Sequence, residues 1–323
     1  MVEQIKIDYL RISVTDRYNL SYIHGLPKIQ IKKLSIKEVL SYDEIARFVR
    51  IMTKIGIRNV RITGGEPLLR YKIEKLLKKL SNVPNLSEIS MTTNGIFLDR
   101  KAETLRRYGL DRVNINLNTL KRDRYKMLTG KDNFRDVWNG ISTCISLGLK
   151  PVKINAVILK DINDDEILDL AKMMFLRNVC VRFIEYLSTD LKFKSLEKKF
   201  IPNKEIKRMI ENNFGKFERC DDIATNGPAI NYRLKGAVGS VGFINSHTEN
   251  FCHSCNRLRL SPDGKLYPCL FCSYYIDVRK MLRENISEKE IIESVIRLLI
   301  NKHNYTRIKS GENEFSVCET GGC

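Results

Sequence analysis

Four cysteines crowd into one short stretch, CHSCNRLRLSPDGKLYPCLFC, residues 252–272. A CxxC pair such as Cys252 and Cys255 offers two thiolates to one metal from a single tight turn. The turn-forming SPDG that follows would bring Cys269 back to meet them. Three thiolates with a fourth position open suit an iron–sulfur cluster that must bind an outside ligand. Adding Cys272 instead gives a four-cysteine zinc knuckle, the main rival. Arg257 and Arg259 lie between the pairs. On an extended segment they share a face, and paired guanidinium forks beside a metal suit a phosphate or carboxylate ligand. The bland alternative is surface charge.

A second stretch, RITGGEPLLR, follows a strand-like run. Gly64 and Gly65 let the backbone approach a ligand closely, and Glu66 would present a carboxylate there. A plain tight turn explains the glycines equally well. Cys144 and Cys180 are isolated and read as small buried hydrophobes.

Elements must position these residues. Six β-branched runs begin at Tyr9, Val60, Glu88, Arg112, Val152 and Val179. Helical patterns lie between them over Tyr42–Ile55, Ile73–Leu80, Asp99–Tyr108, Phe134–Leu147 and Asp164–Leu176. Gly56, Gly109 and Gly148 each stand where a helix stops before the next strand. Repeated βα units give a parallel sheet with right-handed crossovers. No Gly-x-Gly-x-x-Gly follows the first strand, against a dinucleotide-binding Rossmann domain. Polar residues instead recur after several strands, as in a barrel whose chemistry sits at its C-terminal face. Six units leave such a barrel open on one side. After Tyr186 the pattern breaks, setting residues 1–190 apart from 191–323.

The chain of 323 residues carries 56 Lys and Arg against 38 Asp and Glu, a formal charge of +18. That favours a polyanionic partner, although stretches such as KIEKLLKKL read as solvated helix faces. Basic–aromatic interleaving is absent, so nucleic acid is not the expected partner. No apolar run is long enough to span a bilayer. The opening MVEQIKIDYLRISV enters a strand pattern without a signal-peptide profile. The expected location is cytoplasmic.

Read in order, LRISVTDR.N, RITGGEPL, MTTNG, RVNI.L, KIN.VI, RFIEY, C..C.R.RL..DGK...CL and a terminal GG resemble the GTP 3′,8-cyclase family. These are radical S-adenosylmethionine lyases of molybdenum cofactor biosynthesis, and the resemblance runs from Leu10 to Gly322. It implies an α/β fold: an incomplete, TIM-like (βα)6 barrel whose open side is closed by a C-terminal iron–sulfur region. It implies a 4Fe–4S cluster on Cys252, Cys255 and Cys269. It places GTP against Arg11, Arg61, Thr92, Lys153, Arg257 and Arg259, and S-adenosylmethionine near Gly65, Asn116 and Leu187. Gly321 and Gly322 match a tail that reaches into the active site, with Cys323 as an extra residue. A homodimer is the family precedent.

The family writes its first loop as CxxxCxxC after TDR, for a second 4Fe–4S cluster that cleaves S-adenosylmethionine. In SVTDRYNLSYIHGLP, residues 13–27, Tyr18, Tyr22 and Gly25 hold those positions, with His24 before the third. Asn116 and Asn118 stand where the family pattern has serine and aspartate. The family reaction abstracts hydrogen from ribose C3′ and joins that carbon to guanine C8, giving (8S)-3′,8-cyclo-7,8-dihydroguanosine 5′-triphosphate. Two phenols and a hydrogen do not replace three thiolates, so this chain alone is expected to lack the radical step. The alternatives are a GTP-binding pseudoenzyme that serves a cysteine-complete partner, and a zinc-knuckle protein that binds nucleic acid.

Overall fold

The computed structural model describes residues 7–22, 33–187, 196–220, 227–249, 255–270, 272–300 and 302. The first half alternates strand and helix: β1 (Tyr9–Ser13), α1 (Tyr42–Lys54), β2 (Asn59–Thr63), α2 (Glu74–Ser81), β3 (Glu88–Thr93), α3 (Leu98–Arg107), β4 (Arg112–Asn116), α4 (Arg122–Thr129), α5 (Phe134–Ser146), β5 (Val152–Val157), α6 (Ile167–Leu176) and β6 (Val179–Ile184). All six expected strands form. The expected helices form with ends shifted by a residue or so, except the last, whose first turn (Asp164–Glu166) is a 3-10 helix. Helix α4 has no counterpart in the sequence reading.

Local chemistry explains the elements. Ser41 and Glu44 form a reciprocal capping box that starts α1, satisfying two otherwise orphaned donors. Ile45, Phe48, Val49 and Met52 recur at helical spacing, and all are buried. Each such side chain contributes roughly 1.5–3 kcal/mol by leaving water. Gly56 and Gly109 follow the C-caps of α1 and α3 with φ of 109° and 100°, values that residues with a Cβ rarely adopt.

The later stretch contributes α7 (Asn203–Phe214), β7 (Glu218–Arg219), β8 (Ile230–Arg233), β9 (Ser240–Ile244), β10 (Arg257–Leu260), β11 (Lys265–Tyr267), β12 (Ile276–Asp277), α8 (Val278–Arg283) and α9 (Glu288–Ile300). All strands join one sheet in the order β12-β11-β10-β1-β2-β3-β4-β5-β6-β9-β8-β7. Strand β10 lies parallel to β1, and β9 parallel to β6. The partial barrel is therefore extended at both edges by strands from the second stretch. Gly239 and Gly242 in and beside β9 are forced by this packing. A Cβ would lie 2.3 Å from the Val179 carbonyl at the first and 2.6 Å from the Asn231 side chain at the second.

The sheet is apolar on one face and polar on the other. Leu10, Ile12, Val60, Ile62, Met91, Val113, Ile115, Ile154 and Val181 join the core with the helices. The alternate residues form the other face, so the strands read as alternating rather than as the continuous apolar runs usual in parallel sheets. No helix among the described residues is long and apolar enough to cross a membrane.

Candidate nucleotide and metal site

The polar face is lined with cations. Arg259, Arg11 and Arg61 are direct partners across β10, β1 and β2. Arg257 sits one step earlier on β10, opposite Tyr9. Arg112 on β4, Lys153 on β5 and Arg182 on β6 continue the set around the sheet. Among the described residues one carboxylate shares this face: Glu88, which pairs with Arg112. Arg61 also donates to Ser90 Oγ at 3.2 Å.

Crowding and burial govern the charges. Arg11 is 9% exposed. Burial holds its guanidinium well below its ordinary range, and repulsion from Arg259 and Arg61 adds to that. Arg259 is pushed down to about 10 by burial, then by Arg257. Lys153 is 1% exposed and is pushed down to about 6, by burial first and by Arg182 and Arg112 next. A polyanion relieves each of these costs at once.

Orphaned polar atoms mark the same face. Arg182 Nε and Nη2, Asn114 Oδ1, Asn155 Oδ1 and Tyr9 OH are buried without a hydrogen-bond partner. Buried polar groups normally find partners, so this group fits a ligand rich in both donors and acceptors. Thr92 is buried opposite Asn114. The strands thus bring together all six expected GTP residues: Arg11, Arg61, Thr92, Lys153, Arg257 and Arg259. Sequence reasoning missed Arg182. Its signal was its place in VCVRFI, where it alternates with apolar residues as the other inward cations do.

Cys255 and Cys269 lie at one end of this face. Cys255 lies two residues before β10, and β11 runs antiparallel to β10, so Cys269 returns to the same end. Both thiols act electrostatically on Arg259 and on Lys302, two largely buried cations. Soft donors beside fixed positive charge suit an iron–sulfur centre. Cys252 lies outside the described residues. Among the described residues no three His, Cys, Asp or Glu side chains stand together as a metal ligand set. Cys272 is buried, and its thiol is turned toward the Tyr274 carbonyl at 3.8 Å.

The other end of the face, beyond the C-terminal ends of the parallel strands, is different. Tyr22 packs against the core, and its phenol is pushed well up by burial, then by Tyr125 and Glu66. The loop is fastened to its neighbours: Ser21 N–H donates to the Thr129 carbonyl at 2.9 Å, and Asn94 Nδ2 to Asn19 Oδ1 at 2.8 Å. Gly65 is close-packed, but against protein. Its N–H donates to the Thr15 carbonyl at 2.6 Å, and a Cβ there would lie 2.0 Å from the Arg17 carbonyl oxygen. Glu66 does not offer its carboxylate to a ligand, as the sequence had suggested. It accepts from Thr93 Oγ1 at 2.7 Å, Asn94 N–H at 2.8 Å and Leu68 N–H at 3.0 Å. Burial nevertheless pushes it up to about 7. Tyr18 and Tyr22 are hard, high-pKa donors, and no cysteine is among the described residues of the loop. The residues present do not fit an iron–sulfur cluster. Asn116 Oδ1 accepts from Asn155 Nδ2 at 3.1 Å, and Leu187 lies half-buried just past β6. His24, Gly25, Gly321, Gly322 and Cys323 lie outside the described residues.

Comparison with known proteins gives two matching family models: the Radical SAM superfamily over residues 25–174 and Molybdenum Cofactor Synthesis C over residues 179–308. A protein of Moorella thermoacetica named GTP 3′,8-cyclase is 44% identical over 288 residues, 89% of this chain and 88% of that one. Another of that name, from Pelotomaculum thermopropionicum, is 39% identical over 299 residues, 93% and 92% of the two chains. A third, from Thermodesulfovibrio yellowstonii, is 42% identical over 294 residues, 91% of each. Among solved structures, Streptococcus suis SuiB bound to S-adenosylmethionine superimposes with a TM-score of 0.57 at 16% identity. The match covers 83% of this chain and 60% of SuiB, and it speaks to the fold alone.

Proposed function

The chain belongs to the GTP 3′,8-cyclase family of radical S-adenosylmethionine proteins, and from that premise we propose that it binds GTP on the cationic barrel face, beside one 4Fe–4S cluster held by Cys252, Cys255 and Cys269. The observation that carries this reading is the ladder of Arg259, Arg11 and Arg61 with Lys153 and Arg182 on one face, all buried but the half-buried Arg61, with Glu88 the one carboxylate there among the described residues. Such a face suits the triphosphate, since guanidinium forks pair with phosphate oxygens. Asn114 and Asn155, with unmet acceptors, suit the donors of a base or ribose. The cluster would supply a Lewis-acidic iron at the cysteine end, and Arg257 and Arg259 would orient the nucleotide toward it. The site belongs to a cytoplasmic protein of molybdenum cofactor biosynthesis.

This chain does not itself start the radical reaction. Tyr18, Tyr22 and Gly25 provide no soft ligand for the cluster that reduces S-adenosylmethionine, and Tyr22 packs against the core there. That packing favours a GTP-binding partner of a cysteine-complete relative over an enzyme acting alone. Anaerobic reconstitution with iron and sulfide, followed by an iron count and an assay for 5′-deoxyadenosine, tests the reading. One cluster per chain, GTP binding and no S-adenosylmethionine cleavage are expected. Two clusters with rapid cleavage would overturn it.

A further inference from the structure

We propose that Lys302 is a positioning residue of the carboxy-terminal cysteine site: it ties the main chain of Cys255 to that of Arg257 and sets the charge around the metal held there. The inference rests on the reading above that these cysteines ligate an iron–sulfur cluster.

Lys302 stands two residues beyond α9 and belongs to no motif. It is 9% exposed, and lysines are almost never so buried without partners. Its partners are main-chain oxygens. The ammonium donates to the Cys255 carbonyl at 2.7 Å and to the Arg257 carbonyl at 3.1 Å. These carbonyls bracket Asn256, whose Nδ2 donates to Asp8 Oδ1 at 2.6 Å. The short link between Cys255 and β10 is therefore held twice, by Asp8 just before β1 and by Lys302 two residues beyond α9. Fixing that link fixes a metal ligand and a nucleotide-facing cation together.

The charges that bear on Lys302 are the Cys255 and Cys269 thiols and the Arg257 and Arg259 guanidiniums. Two cations on the barrel face could neutralise thiolates alone. Lys302 adds a third from outside the sheet, anchored on backbone and so unable to follow the nucleotide. A fixed positive charge beside a cluster favours its reduced, more negative state.

The test uses the full chain, reconstituted anaerobically with iron and sulfide, as wild type, Lys302→Met and Lys302→Arg. Lys302→Met keeps the length of the side chain without its charge or donors. It is expected to retain iron but to shift the midpoint potential of the cluster downward, change the electron paramagnetic resonance line shape of the reduced cluster and weaken GTP binding severalfold. Lys302→Arg is expected to restore the potential. A merely structural lysine would lower the yield of folded protein without moving the potential of the part that folds. Iron-loaded Lys302→Met with an unchanged potential, line shape and GTP affinity would overturn this inference alone. If Lys302→Met does not fold, Lys302→Arg decides, and a folded arginine variant with the potential of an isolated, uncompensated cluster would overturn it. A wild-type chain that takes up no iron would refute the cluster reading and this inference with it.

Discussion

The two ends of the barrel face carry different donor atoms. At the end where β10 begins, Cys255 and Cys269 face Arg259 and Lys302, and the hairpin of β10 and β11 keeps its register. At the end where β1 stops, the equivalent loop carries phenols, and its backbone is spent on Gly65 and Thr129. Strands of about five residues separate them, roughly 15 Å. The ligand-binding cations between them come from strands that both ends share. The two ends therefore differ in their donors while sharing one framework of strands. Donor chemistry here is a property of loops, and the charge of the site is a property of strands.

The largest test puts sulfur back. Combining Tyr18→Cys, Tyr22→Cys and Gly25→Cys should take the iron count from one cluster to two and bring 5′-deoxyadenosine from undetectable to measurable. Failure of the triple variant to gain iron would show that the framework has diverged along with the donors. The complementary change, Cys269→Ala, should abolish iron uptake in the wild-type background, read by iron analysis.

Next in size is Arg259→Ala, which removes a buried cation from the ladder. Charge-assisted hydrogen bonds contribute about 1.5–3 kcal/mol, so GTP affinity should fall by about 10- to 150-fold in equilibrium titration. Iron content should be unchanged, separating strand from loop.

A pH series comes third. Lys153 titrates at about 6 in the folded chain against 10.5 ordinarily. Its folded value is depressed, so its contribution to stability is greatest above 10.5 and is lost as pH falls toward 6. For binding the sign reverses. A triphosphate favours the ammonium, so above pH 6 Lys153 takes up a proton when GTP binds, and GTP affinity falls as pH rises. Calorimetry in buffers of different ionisation heat should show this uptake, and Lys153→Met should abolish it.

The smallest effect is expected of Cys272→Ser. The Cys272 thiol turns toward the Tyr274 carbonyl, although it also feels the Cys269 thiol. Iron per chain should stay the same, with stability lower by about 1 kcal/mol for a polar oxygen in a buried sulfur's place. Loss of iron would favour the four-cysteine site.

Much of this was legible because the inner face is polar. Runs such as NVRIT and RVNIN alternate cleanly, so the strands and their parallel βα arrangement could be read, while the inward cations came from the family resemblance. Helix α4 was not legible: it buries only Tyr125, Leu128 and Thr129, and Lys121 gives it no side-chain cap. The parallel pairing of β9 and β10 was hidden because it depends on sheet edges more than 50 residues away. Arg182 lacked a motif spacing, and Lys302 acts through main-chain oxygens that leave no trace in its neighbours' identities. Glu66 was misread because GGEP shows a carboxylate but not the three donors that claim it.

The cation ladder has one more consequence. Electroneutrality demands that so much like charge, clustered on one face, draw small anions from solution whenever no nucleotide is bound. Nucleotide entry is then an exchange of one polyvalent anion for several monovalent ones, and the entropy of the ions set free becomes part of the driving force. Chloride and phosphate are competitors by construction, so the ionic strength around the protein governs how much nucleotide it holds.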